Sequence, residues 1–410
     1  MDFAATYFAR YNSLPRFFAD KPDDNTSIIV IIPCYDEAFV FDTLKSLDEA
    51  SPAHSAVEVI VNVNSGENSS PEVVSANRAT YAALQQMAEA HAYRSFRLLP
   101  LIVEGTIRKK NGVGYARKTA MDEAVRRFAD IDRPDGLIVS LDADALVDKD
   151  YFLAIEHAAD DLSAECFTFQ FHHDYDAAKY PEQTLQACRL YEMYLRYYRL
   201  ALKSIDSPFA IHTIGSCFAV RAEAYTRLGG MSPRQGGEDF YFLQKALKRR
   251  PVREVSKPIV FPSPRVSNRV PFGTGPSVNN IIKNNGKYLV YNYGLFGLLK
   301  RFYELFPAMA ESDVGSLIPE EIMNCVGAES FDAVMTECRR YSSSSKAFVK
   351  RMQDHFDAFF IVKFLNTFNA SAAYPPVDVI DATRIILSHY GMTDFDVNLY
   401  KHITALDVSL

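Results

Sequence analysis

Three things are scarce in this 410-residue chain: paired cysteines, excess positive charge and long apolar runs. The six cysteines, at positions 34, 166, 188, 217, 325 and 338, include no C-x-x-C pair and no short Cys/His spacing of the zinc type. They read as free thiols of a reducing compartment, which excludes a disulfide scaffold. The net charge of −7 gives no general attraction to nucleic acid, although a local cluster such as Arg108, Lys109 and Lys110 can still grip a phosphate group. The opening MDFAATYFARYNSLPRFFAD lacks the apolar centre of a signal peptide. The longest apolar-looking stretch, 288–306, is broken by Asn292, Lys300, Arg301 and Glu304. The expectation is a cytoplasmic protein without a transmembrane segment, with peripheral contact at the inner face of the membrane left open. No internal repeat is visible, and no low-complexity tract beyond the serines 342–345.

What is present is ordinary globular composition, 48% hydrophobic and 23% charged, in a chain long enough for two or three domains at roughly 150 residues each. The most informative segment is LIVSLDADALVD, 137–148. Leu137, Ile138, Val139 and Leu141 read as a buried strand interrupted only by Ser140. Open α/β sheets place ligands at the carboxyl ends of such strands, so Asp142 and Asp144 emerge where a ligand would sit. Alternation puts both on one side of an extended chain, with Ala143 between them. Two hard oxygen donors suit a divalent cation carrying phosphates. A D-x-D triplet alone serves equally well as a solvated turn that caps a helix.

The surrounding pattern alternates. Ile28–Ile32 forms a β-branched run stopped by Pro33, a helix is expected near 39–50, and a second strand opens at Val57 and gives way to a polar loop after Val63. A helix over 75–92, a strand over 95–105 and a helix over 114–128 follow, which predicts a mostly parallel sheet between layers of helices. Beyond Tyr151 antiparallel additions are expected. These are a strand over 165–174, a long helix over 182–203, a strand over 215–220, a short helix over 221–230, a helix starting near Glu238 and a last strand over 254–261. The Pro-, Gly- and Arg-rich segment 262–277 reads as a loop. From about 285 the pattern is helical with no strand signal. The division expected is an N-terminal extension, 1–24, a catalytic domain, 25–284, and a helical accessory region, 285–410.

Several separated motifs carry a likeness over roughly 25–275. IIVIIPCYDE ends in Pro33, Tyr35 and Glu37; Asp142 and Asp144 form the D-x-D; GSCFAVRAEAYTRLGGM follows; GGEDFYFLQKAL brings Glu238 and Asp239. In this order they resemble the family 2 glycosyltransferases of the GT-A fold. The resemblance implies a sugar moved from a nucleoside diphosphate donor to a hydroxyl on a glycan, a lipid-linked or a small-molecule acceptor. A metal, Mn2+ or Mg2+, would stabilise the departing diphosphate. Asp144 is expected on that metal, with Asp142 on the ribose or orienting a metal-bound water. The acceptor must lose a proton as it attacks the anomeric carbon, and Asp239 is the candidate base, beside Glu238 and after the flexible Gly236 and Gly237. Single displacement would invert the anomeric configuration. Pro33, Tyr35, Glu37, Asn64 and Arg117 are expected near the nucleotide, and Gly237, Arg265 and Arg269 near acceptor or phosphate.

The chain departs from the family in two places. Val63 and Asn64 stand where aspartates usually read the base, and Asn both donates and accepts, so uracil, guanine and thymine all remain open. No histidine lies in 254–277 to add a late metal ligand, which leaves His172, His173 and His212 as alternatives to structural histidines. Tyr191, Tyr194, Tyr197 and Tyr198, and likewise Phe359, Phe360, Phe364 and Phe368, recur at helical spacing and read as packing. Two competing functions are a haloacid-dehalogenase-type phosphatase with Asp142 as nucleophile and a non-catalytic sugar-nucleotide-binding protein.

Overall fold

The structure is a computed structural model and describes residues 2–11, 14–107, 112–267, 273–312, 314–393 and 398–410. Arg269 and the cluster Arg108, Lys109 and Lys110 lie outside the described residues. The chain forms two compact units, one of residues 1–185 with 212–279 and one of 186–211 with 280–410.

The first unit is built on an eight-stranded sheet. Its strands are β1 (Thr26–Cys34), β2 (Ala56–Gly66), β3 (Arg97–Ile107), β4 (Leu137–Ser140), β5 (Leu146–Val147), β6 (Cys166–Phe171), β7 (Phe218–Arg221) and β8 (Arg253–Phe261). They run in the order β3-β2-β1-β4-β7-β6-β8-β5. The first four of that order are parallel neighbours, β7 pairs antiparallel with β4 and β6, and β8 runs parallel to β6. Ile28 to Ile32 are all at most 1% exposed, as expected of a strand covered on both faces. The helix Val113–Asp130 adds a buried ion pair to that cover, Arg127 donating to Glu58 of β2 at 2.6 Å.

Two expectations about strand ends are corrected. Pro33 does not stop β1, which runs on to Cys34 with Pro33 opposite Asn62. Ile31 accepts from Leu141 on the β4 side, and by alternation Pro33 turns its missing N–H to that same edge, where pairing has already ended at Ser140. Nor does β2 become a loop after Val63. It continues through Asn64 and Ser65 to Gly66 with Asn62, Asn64 and Ser65 buried, and two side-chain amines are paired: Asn62 donates to the Ala116 carbonyl at 2.7 Å and Asn64 to the Cys34 carbonyl at 2.9 Å. The segment 262–277 is not all loop, since a helix, Thr274–Lys283, starts inside it with Pro276 in its first turn, where the missing N–H costs nothing.

Among its described residues the second unit is helical apart from a two-residue antiparallel pair, Leu289–Val290 with Val377–Asp378, that the sequence did not signal. The tyrosine stripe packs: Tyr194 meets Tyr288 edge-on with centroids 5.6 Å apart, and the Tyr197 hydroxyl donates to the Tyr291 carbonyl at 2.8 Å. Phe356 packs on Phe302 at 4.8 Å and on Phe360 at 4.9 Å. Among the described residues no helix is long and apolar enough to cross a membrane.

Candidate active site

The carboxyl ends of β1 and β4 carry the site, and two arginines organise it. The first, Arg117, lies one turn into the helix Val113–Asp130 and is 2% exposed. Its Nη2 donates to Asp142 at 2.9 Å, its Nε to Glu238 at 3.1 Å, and its Nη1 to the Gly215 carbonyl at 2.9 Å and to the Ser140 hydroxyl. Ser140, the one polar interruption of the apolar run, thus faces the guanidinium. The lone glycine Gly215 leaves room for it, because a Cβ there would lie 2.6 Å from Arg117 Nη2.

The helix start that carries Glu238 and Asp239 is set by two further close approaches. Gly237 precedes the helix Glu238–Arg249 with φ of 67°, a left-handed conformation that glycine adopts without strain. Gly112 and Gly114 face the loop before it: a Cβ on Gly114 would lie 2.4 Å from the Ser232 carbonyl oxygen, and one on Gly112 2.6 Å from the Gln235 Cα. The G-x-G at the helix lead-in therefore makes room for this chain's own backbone. Asp239 Oδ1 accepts from the Phe240 N–H at 2.7 Å. Desolvation and the neighbouring Glu238 charge push its carboxyl up to about 7, against the opposing pull of Arg117.

The second arginine, Arg265, follows β8. Its guanidinium forks onto Glu37, with Nη1 donating to Oε1 at 3.1 Å and Nη2 to Oε2, and Nη2 also donates to Asp144 at 2.8 Å. It sits 5.1 Å from the centroid of Phe39, an exposed aromatic. Asp142 and Asp144 are thus held by different arginines, with their side chains 38% and 24% exposed. The peptide between them is pinned by Thr43, whose hydroxyl donates to the Ala143 carbonyl at 2.9 Å.

At the ends of β1 and β2, Asn64 Nδ2 donates to two main-chain carbonyls, Cys34 at 2.9 Å and Asn62 at 3.0 Å. Because carbonyls only accept, the amine must point there, so only Oδ1 is left to meet a ligand. Tyr35 accepts from the Ser69 hydroxyl at 3.5 Å, and Pro33 is buried inside β1. His173 and His212 stack edge-on against Phe171, at 5.6 and 5.0 Å, and His173 lies 3.3 Å from the Thr274 hydroxyl.

Among the described residues no group of three or more His, Cys, Asp or Glu is arranged to hold a metal ion. The two partly exposed aspartates still fit a cation that takes one or two carboxylates and completes its shell with phosphate oxygens and water, as Mg2+ commonly does.

Residues 25–261 match the profile of the family described as Glycosyltransferase like family 2. The chain belongs to that family. Membership makes it a glycosyltransferase and decides against the phosphatase reading of Asp142. The fold is similar to S. aureus TarS 1–349, with 12% identity, TM-score 0.41, and 94% of this chain and 88% of that one covered. It is also similar to the same TarS segment in complex with UDP-GlcNAc, with 13% identity, TM-score 0.41, and 91% and 94% covered. No curated protein matches the chain. Ser140, Gly215 and Thr43 are the members of the site that the sequence reading missed. The signals were a serine inside an apolar run and a glycine before a strand.

Proposed function

We propose that this family member transfers a sugar from a nucleoside diphosphate donor to a hydroxyl acceptor with inversion, using Asp239 as general base. The observation that carries the reading is the convergence of Asp142, Glu238 and Asp239 on one buried guanidinium, with Asp144 two residues from Asp142. Donor binding falls to the ends of β1 and β2, where Pro33, Tyr35, Glu37 and the Oδ1 of Asn64 line the approach. An amide oxygen accepts from a ring N–H, such as uracil, thymine or guanine offers.

Asp144, with Asp142 beside it, would hold Mn2+ or Mg2+, and when bound that ion supplies Lewis acidity to the departing diphosphate. Arg265, already facing Asp144, is the protein's own cation on that side, with Gly237 and Arg269 assigned to the acceptor or its phosphate. Asp239 takes the acceptor proton. With its carboxyl near 7 it is a base matched to neutral pH, and such catalysis is worth about 10² to 10⁴ in rate. The acceptor is a hydroxyl on a glycan, a lipid-linked or a small molecule.

The test is a thermal-shift screen of nucleoside diphosphate sugars with and without Mn2+, followed by transfer assays that read the anomeric configuration of the product. A donor that raises the melting temperature and yields inverted product supports the reading. Stabilisation by non-nucleotide phosphates alone, or a retained configuration, overturns it.

A further inference from the structure

The sequence assigned Arg117 to the donor nucleotide, but its surroundings point elsewhere. The guanidinium is 2% exposed, and its N–H groups already meet Asp142, Glu238, Ser140 and the Gly215 carbonyl. We infer that Arg117 is a positioning residue that fixes the donor-side carboxylate Asp142 and the acceptor-side pair Glu238 and Asp239 in one frame without touching either substrate. This rests on the proposed transferase reading and adds to it the part that joins its two halves.

The geometry supports the inference on three counts. Asp142 follows β4 and Glu238 opens a helix more than ninety residues later, so no local backbone feature sets their spacing; the planar fork of one arginine does. Ser140, within β4 itself, anchors the fork from the sheet. Gly215 forms a wall shared with the base, because a Cβ there would lie 2.6 Å from Arg117 Nη2 and 3.4 Å from Asp239 Oδ2. A displacement of the guanidinium therefore reaches both carboxylates at once.

Two variants of the full chain test it. Arg117→Lys keeps the charge and loses the fork; Gly215→Ala keeps every charged group and pushes the fork aside. Each is checked for a cooperative melting transition, and kcat and donor KM are measured with the donor that wild type turns over. The expectation for both is a fall in kcat of about 10²-fold, the scale of a misplacement of around 1 Å, with donor KM changed only about twofold. A raised donor KM with kcat intact would mean that Arg117 binds donor directly, and unchanged kinetics in either variant would mean that the frame is not needed; both overturn the inference while leaving the transferase reading in place. If wild type turns over no nucleoside diphosphate sugar, that reading falls and the inference goes with it.

Discussion

The two arginine centres are built from the same parts and differ in one variable, water. Arg117 and Arg265 each join two carboxylates from distant parts of the sequence, Asp142 with Glu238 and Asp144 with Glu37. Each joins a buried glutamate, Glu238 or Glu37 at 3% exposed, to a partly exposed aspartate, but the Arg117 side chain is 3% exposed and that of Arg265 23%. A buried pair that loses one partner leaves an uncompensated charge, so the first centre must stay assembled. In the second, the arginine itself is reached by water, so its bond to the partly exposed Asp144 can be exchanged for solvent at less cost. The difference lies in the arginines: Arg117 is sealed inside the framework, whereas Arg265 is within reach of solvent.

The comparison breaks most readily at the base. Asp239→Asn should lower kcat by about 10² to 10⁴ without loss of the melting transition, measured as initial transfer rates. In wild type the base works only when deprotonated, so the rate should rise with pH through about 7 and fall below it. Glu238→Gln removes a charge that holds the proton on Asp239, so any activity that remains should keep its plateau to lower pH. A pH profile with its midpoint near the ordinary carboxylate range in wild type would contradict the environment described for Asp239.

Stability separates the two centres directly. Arg117→Gln should cost about 3 to 5 kcal/mol in urea unfolding, because the buried Glu238 loses its cation. Arg265→Gln should cost less, about 1 to 3 kcal/mol, because Glu37 is buried but the site of Arg265 is reached by water, and it should also weaken donor binding. Equal losses would erase the distinction between framework and exchangeable centre.

Much of the fold was legible because periodicity is local. The runs 28–32 and 137–141 read as buried strands, and the helix Glu182–Lys203 has the ends expected of it. What was misread depended on partners far away. Asn62 and Asn64 look like part of a polar loop until their amines are seen to donate to the carbonyls of Ala116 and Cys34. The short pair Leu289–Val290 and Val377–Asp378 has too few residues for any period to appear. In the site, acidic residues could be picked out by type and spacing. Ser140, Gly215 and Thr43 could not, since each matters only through a group 23 to 100 residues away.

Asn64 gives a smaller effect with a clear sign. Asn64→Asp would turn a carboxylate toward the carbonyls of Cys34 and Asn62, where the amine now donates. The expected loss is about 1 to 3 kcal/mol of stability, read as a lower melting temperature, even though the substitution is nearly isosteric. A neutral or stabilising outcome would mean that the amide points the other way and offers its amine to the ligand.

The smallest expected effect lies outside both centres, and its use is to show that loss of stability and loss of rate are separable. The N-terminal helix Ala5–Arg10 buries Tyr7, whose hydroxyl donates to Asp122 at 2.7 Å and accepts from Lys118 at 2.7 Å. Asp122 keeps Lys118 at 2.7 Å and Tyr225 at 3.0 Å if that hydroxyl is removed, so no buried charge is stranded. Tyr7→Phe should therefore cost about 1 kcal/mol, the net worth of one hydrogen bond, and leave kcat near wild type. Gly230 leaves the space that the Tyr7 hydroxyl fills, since a Cβ there would collide with it; phenylalanine keeps the ring and vacates only that space. If Tyr7→Phe lowered kcat as far as a variant at Arg117 or Gly215, framework strain anywhere in the first unit would suffice to stop turnover, and the special standing of the Arg117 centre would be lost.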